Sequence, residues 1–290
     1  MYPYSGITAA LTTKHKKSDY ISQPLREIGI SLSTFEYDTD KFGTFSGEIE
    51  RIGSPAEVIR KKARVGMAET KLPFGIASEG SFGPDPIVPF FNSNVEFLIW
   101  IDDLRGIEII ESFRTLEIQA HREEIETLEK LKLAIPNFDF PKYSLIVKGK
   151  SKLNSFIFKG LSDFPSLETS VKRILDQGDI AIVQNELRAH LNPKRQKAIT
   201  EVAIKLSKRI MSTCKKCGTP GWGAVGQITG LTCEICDSFN SQYPSGEING
   251  CLKCDYQEEK LFRKQKRSEE HTSELQSHSD LVCRLLLEKK

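Results

Sequence analysis

The chain has 290 residues, with 41 Lys and Arg against 39 Asp and Glu and a net charge of +2. So mild a basic balance does not point to a nucleic-acid partner, and apolar runs as short as Phe97–Ile101, which stops at Asp102 and Asp103, exclude a membrane-spanning helix. The length suffices for one or two cored domains plus a metal-held one. The N-terminus carries no basic region followed by a long apolar stretch, so no secretory signal is expected and the cytoplasm is the expected compartment.

Ile7–Thr12 reads as a short buried strand that opens into a polar, basic turn, Thr13–Asp19, and then a helix toward Ile28 that Gly29 ends. Ile30–Tyr37 alternates as a strand. After a loop with Gly43 and Gly47, Ser54 is a candidate N-cap, Pro55 the N1 proline and Glu57 the capping-box acid of a helix to about Thr70. Pro73–Ala77 is the next strand, running into Ser78-Glu79-Gly80-Ser81-Phe82-Gly83. Strand, helix, strand, helix, strand in this order predicts an α/β fold.

Val95–Ile101 follows as a strand, Ile107–Ile118 is ambiguous, and Glu123–Leu133 reads as a charged helix. Pro136 and Pro141 break the chain and mark a candidate sub-boundary near 136–141. Tyr143–Val147, Phe156–Lys159 and Asp179–Val183 read as strands, with Leu167–Leu175 helical among them. Asn192 caps a long helix with Ile199, Val202, Ala203, Leu206 and Ile210 on one face. The expected architecture is a mixed-sheet α/β body over 5–211, closed by this C-terminal helix, and a small Cys-rich zinc-ribbon module over 212–260.

Three Cys-x-x-Cys pairs, Cys214/Cys217, Cys233/Cys236 and Cys251/Cys254, carry the most specific chemistry in the chain. Each turn aims two thiolates at one metal, and two such turns close a tetrahedral zinc site. Four thiolates leave no open coordination position, so the zinc is structural. Six thiolates supply one site with two left over, and the spacing does not say which two pairs combine. A redox dithiol is the weaker alternative, because the pairs do not sit at a βα junction. The remaining cysteine, Cys283, lies in Arg267–Lys290, which resembles a translated sequencing-library adapter and is set aside from the fold; the authentic C-terminus is then missing.

Two features point to phosphate chemistry. Lys14, His15, Lys16 and Lys17 follow a strand and face a helix start, where backbone amides favour an anion. Glu57 and Glu79 are candidate carboxylates for Mg²⁺ and for positioning water, Glu79 lying on a Gly-rich strand end of the kind where α/β proteins place active sites. Arg188 and His190, before the Asn192 cap, are candidates for the same pocket. Plainer readings stand beside these: a capping box accounts for Glu57, a solvated turn for the lysine run, and a capping turn for His190.

The motifs Leu11-Thr12-Thr13-Lys14-His15, Gly43-Thr44-Phe45-Ser46-Gly47-Glu48, Gly53-Ser54-Pro55, Ala77-Ser78-Glu79-Gly80-Ser81-Phe82-Gly83, Arg188-Ala189-His190-Leu191-Asn192-Pro193 and the cysteine pairs resemble a bacterial family known as a domain of unknown function, numbered 6671, over Ser5 to about Glu259. That resemblance brings no activity with it. Ile7–Phe82 also resembles the non-canonical nucleoside-triphosphate pyrophosphatases. Thr12 and Lys17 fall on their phosphate-gripping Thr-x-Asn-x-x-Lys, with Lys14 in place of the asparagine. Glu57, Lys62 and Ala63 fall on their Glu-Asn-Ala-x-x-Lys-Ala, and Leu72-Pro73 with Ala77-Ser78-Glu79-Gly80 on the following strand, where Glu79 stands for two acids. The resemblance implies phosphate binding by Thr12, Lys17 and Lys62; Lys14 and His15, from the basic turn, and Arg188, from the later helix start, complete the candidate phosphate-binding set.

The resulting expectation is a Mg²⁺-dependent phosphohydrolase or pyrophosphatase acting on a nucleotide or similar phosphorylated small molecule, with Glu79, Glu57 and His190 as catalytic residues. The alternative is a non-enzymatic module that docks nucleic acid or protein through the ribbon and a basic helix bearing Lys194, Arg195, Lys197, Lys205, Lys208 and Arg209, with Trp222 to stack on a base. Oligomeric state has no signature in the sequence.

Overall fold

Three parallel strands frame the first sheet: β1 (Ile7–Thr13), β2 (Ile30–Glu36) and β3 (Phe74–Pro84), linked by α1 (Ser18–Arg26) and α2 (Pro55–Thr70). The structure, a computed structural model, describes residues 3–14, 17–38, 41, 53–85, 90–151, 156–232 and 239–262. Antiparallel β4 (Asn92–Asp102) and β5 (Ile107–Thr115) extend the sheet to the order β2-β1-β3-β4-β5. The ambiguous Ile107–Ile118 segment is thus a strand as far as Thr115, its β-branched residues paired along β4.

The two crossovers step in opposite directions from β1, so their helices cover opposite faces. On one face, Ile21 and Leu25 of α1 pack with Leu11, Ile76, Leu98 and Trp100. On the other, Ile59, Ala63 and Met67 of α2 pack on Ala77, Phe97 and Ile99. Helix α2 begins where its local signals place it: Ser54 Oγ accepts from the Glu57 amide at 3.3 Å, and Glu57 Oε2 accepts from the Ser54 amide at 2.7 Å. It lies so close to β1 that a side chain at Gly66 would collide with Thr12 Oγ1.

Between β5 and the last helix, the chain builds a second sheet from β6 (Arg122–Ile125), β7 (Leu145–Gly149), β8 (Ile157–Leu161) and β9 (Ala181–Asn185), in the order β6-β9-β7-β8. With α3 (Leu128–Ala134) and α4 (Phe164–Leu175) it has its own core, including Ile125, Phe138, Val147 and Val171. One expectation is corrected here. The charged helix over Glu123–Leu133 is a strand in its first part, because Arg122–Ile125 pairs with β9 and buries Ile125; the helix starts only after the Thr127 cap. Residues on both sides of 136–141, such as Leu131 and Leu145, share this second core.

Helix α5 (Pro193–Met211), capped by Asn192, returns to the first sheet and lays Ile199, Val202, Leu206 and Ile210 on the α1 face. Each of these fully buried side chains contributes about 1.5–3 kcal/mol. The chain then enters a three-stranded ribbon of β10 (Gly223–Thr232), β11 (Phe239–Gly250) and β12 (Gln257–Leu261). The ribbon is joined to the body: Leu252 packs on the first core, and Arg209 Nη1 donates to Glu111 Oε1 at 2.8 Å while its Nε donates to the Gly221 carbonyl at 3.3 Å. The expected mixed-sheet body with a Cys-rich, zinc-ribbon-like module is what the chain forms. Among the described residues, no helix is long and apolar enough to cross a membrane.

Candidate functional site

The metal-binding arrangement comes from two knuckle turns, one after α5 and one between β11 and β12. Cys214, Cys217, Cys251 and Cys254 bring their sulfurs within 4.8 Å of one another. Cys214 to Cys254 is 3.7 Å and Cys217 to Cys251 is 3.5 Å. Four thiolates at about 2.3 Å from a tetrahedral ion stand about 3.8 Å apart, so the donor set fits a metal such as zinc. Gly218, at φ 72, makes the first turn, and the amides of Lys253 and Cys254 point at Cys251 Sγ at 3.3 and 3.4 Å in the second. The first and third pairs therefore combine. Cys233 and Cys236 lie outside the described residues, as do His15 and the adapter-like tail. The flanking residues Thr232 and Phe239 pair at the far end of the β10–β11 hairpin, roughly 25–30 Å along the strands from Gly223.

A second cluster lies where β1 ends. β1 pairs with β3 only from Ala10↔Gly75 to Thr12↔Ala77, whereas β3 runs on to Pro84 beside β4 alone. Among the described residues no strand pairs with the β3 edge past Ala77, and α1 and α2 depart to opposite faces. The end of β1 is thus the topological switch point of the sheet, the position beyond whose strand ends open α/β sheets form a ligand crevice.

Five charged side chains are buried around it. Alternation along β3 sends Glu79 to the α2 face, where Lys62 Nζ donates to Glu79 Oε2 at 2.5 Å with both side chains under a tenth exposed. Ser78 and Gly80 face α1 and α5. Next to Gly80 on β4, Glu96 accepts from Arg195 Nε at 2.6 Å, and Arg195 Nη1 donates to the Leu187 carbonyl at 2.5 Å. Gly80 is required there, because a Cβ would lie against Arg195 Nη2 and 2.8 Å from Glu96 Oε1. Between the two pairs, Lys17 at the head of α1 donates to Ser78 Oγ at 3.0 Å.

Lys17 is 8% exposed, and among the described residues no carboxylate lies within ion-pair distance of its Nζ. Burial pushes its ammonium down to about 7; Arg195 and Lys62 lower it further, while Glu96 and Glu79 act the other way. With Lys17 protonated, three cations and two carboxylates leave an excess of one positive charge.

Of the residues singled out in the sequence, Lys17, Lys62 and Glu79 therefore come together. The others sit elsewhere. Glu57 closes the capping box on the exposed first turn of α2, its Oε2 also accepting from Ser54 Oγ at 2.9 Å. Thr12 Oγ1 is buried against Gly66 on the α2 side, and Lys14 pairs with Asp38 at 2.7 Å. Arg188 Nη2 answers the buried Glu186 at 2.6 Å, and His190 sits in the single 3-10 turn Ala189–Leu191. The Mg²⁺ expectation finds no carboxylate set: among the described residues, the four cysteines are the only cluster of three or more potential ligands, and Glu79 and Glu96 each hold a cation.

The basic helix is likewise engaged. Lys205 Nζ donates to the Ser112 carbonyl and Lys194 Nζ to that of Ile118, Arg209 pairs with Glu111, and Arg195 is buried. Lys215 and Lys216 pair with Glu258 and Asp255, and Trp222 stacks on Tyr256 with ring centres 5.3 Å apart. These contacts lie within the body or within the ribbon, while Lys197 and Lys208 of the same helix stay exposed.

The family described as domain of unknown function (DUF6671) matches residues 62–273, well over half of the chain. The chain belongs to this family. Within DUF6671 the matched span begins in α2 at Lys62 and includes Glu79, Glu96, Arg195 and all four clustered cysteines, while β1, α1 with Lys17, and β2 precede it. No curated protein matches the chain.

Proposed function

We propose that the α/β body is a hydrolase of phosphorylated small molecules, nucleotides among them, which binds the phosphate in the crevice past the end of β1. The observation that supports this reading most is Lys17: a buried lysine with no carboxylate partner among the described residues, at a switch point where positive charge exceeds negative. A lone buried ammonium is costly, and an anionic ligand relieves that cost. The first amides of α1, which start beside Lys17, add to the same preference. A divalent cation taking part in turnover would arrive with the substrate phosphates, since Glu79 and Glu96 are already paired.

In this reading the four thiolates hold zinc. A closed site of that type orders the ribbon and takes no part in turnover. Retained thiolates suit a reducing compartment such as the cytoplasm.

The test is a phosphate- and pyrophosphate-release screen over a nucleotide panel with and without Mg²⁺ or Mn²⁺, comparing the full chain with Lys17→Met and Glu79→Gln. Turnover of at least one compound, lost in Lys17→Met, is the expected result. A panel with no turnover removes the hydrolase reading.

A further inference from the structure

We propose that Ser78 is the nucleophile of this crevice and Lys17 its general base. This rests on the reading that a phosphoryl group occupies the crevice, and it adds a covalent route that neither the family match nor the cysteine cluster suggests.

Ser78 is the first residue of β3 beyond the last pairing with β1, so it stands at the lip where the sheet edge opens. Its Oγ is 3.0 Å from Lys17 Nζ, with Ser78 5% and Lys17 8% exposed, a distance at which a proton passes directly between oxygen and nitrogen. Lysine serves as a base only as the neutral amine. The surroundings bring that form within reach near neutral pH, where the ammonium that attracts phosphate and the amine that takes a proton interconvert: Lys17 is buried, it has no carboxylate at ion-pair distance among the described residues, and it feels Lys62 from α2 and Arg195 from α5 against Glu79 on β3 and Glu96 on β4. The two carboxylates are poorer candidates for the nucleophile, since each is held in a buried ion pair. Thr12, the hydroxyl that the phosphatase-like motif singles out, is packed against Gly66 on the other face.

The step balances without an added reagent. Neutral Lys17 takes the Ser78 hydroxyl proton as the Oγ–P bond forms and the bond from phosphorus to the leaving oxygen breaks, and the new ammonium gives that proton to the leaving oxygen. In the second half Lys17 takes a proton from water as the water oxygen bonds to phosphorus. The Oγ–P bond then breaks, and Lys17 returns the proton to Ser78 Oγ. Arg195, which reaches in from α5 on the Ser78 face, adds positive charge throughout.

The experiment uses the full chain with radiolabelled ATP and radiolabelled pyrophosphate, quenched in acid during turnover and followed by peptide mass spectrometry. Phosphate binding by calorimetry is measured in parallel. Expected is one added phosphoryl group on the peptide containing Ser78. The label should be absent from Ser78→Ala and Lys17→Met, with turnover falling about a hundredfold or more in Ser78→Ala while that variant still binds phosphate. Ser78→Cys, which keeps a nucleophile of similar size, guards against a folding defect and should keep measurable turnover. Unaltered turnover in Ser78→Ala, or turnover or phosphate binding without any label on Ser78, overturns the covalent proposal and leaves the crevice reading standing. Absence of phosphate binding by the wild type overturns both.

Discussion

Glu96 and Arg195 lie 99 residues apart in the chain and meet at 2.6 Å beneath Gly80, both side chains almost wholly shut off from solvent. The pair ties α5 to the central strands and sets the floor of the crevice.

Breaking this pair one side at a time should be far worse than removing it whole. Glu96→Gln or Arg195→Met leaves an uncompensated buried charge and should cost about 3–5 kcal/mol, whereas the double variant should cost clearly less than the two singles together. Urea unfolding of the three variants measures the coupling. Gly80→Ala should destabilise by a similar mechanism, since its methyl group has no space beside the pair.

Glu57 should prove to be a cap. Glu57→Ala removes its bond to the Ser54 amide and should lower stability by about 1 kcal/mol, with phosphate affinity unchanged. A large loss of turnover at full stability would return Glu57 to the catalytic list.

The cysteine pairs should separate cleanly. Cys214→Ser and Cys251→Ser should abolish tight metal binding and melt the ribbon, a site of this kind being worth as much as about 10 kcal/mol to the folded module. Cys233→Ser should leave the ion at the described site in place. Elemental analysis of each purified variant, with the metal-release reagent response of its thiols, decides this.

Lys17 should give stability an alkaline slope. Its folded pKa of about 7 lies below the unfolded value of 10.5, so the unfolded chain binds more protons across that window and stability rises with pH from about 7 to 10.5. Lys17→Met should flatten this rise. Urea midpoints measured across the window for both proteins provide the comparison.

Much of the fold follows from local signals. The Ser54-Pro55-x-Glu57 box and the Asn192 cap are contained within a few residues, and both helices begin there. Arg122–Ile125 is different: its acidic composition suits a helix, and only pairing with a strand some sixty residues later makes it one edge of a sheet. The crevice was legible in part. Lys17, Lys62 and Glu79 stand on recognisable motifs, but Glu96 and Arg195 have none. Their signal is subtler: a glutamate inside the apolar run of β4, and an arginine four residues before Ile199 on the buried stripe of α5. A charge placed where burial is obligatory implies a buried partner, though not which one. The pairing of the first and third knuckles is likewise beyond spacing alone, because it depends on how β10 and β11 carry the chain out and back.

The central claim is that Lys17 makes the crevice an anion site, and calorimetric titration of pyrophosphate into the full chain, one pH unit below and two above about 7, tests it most directly. The account predicts binding that weakens on the alkaline side as Lys17 loses its charge, although pyrophosphate itself becomes more negative, and binding that disappears in Lys17→Met. Equal affinity in wild type and Lys17→Met, or no binding at either pH, would contradict it.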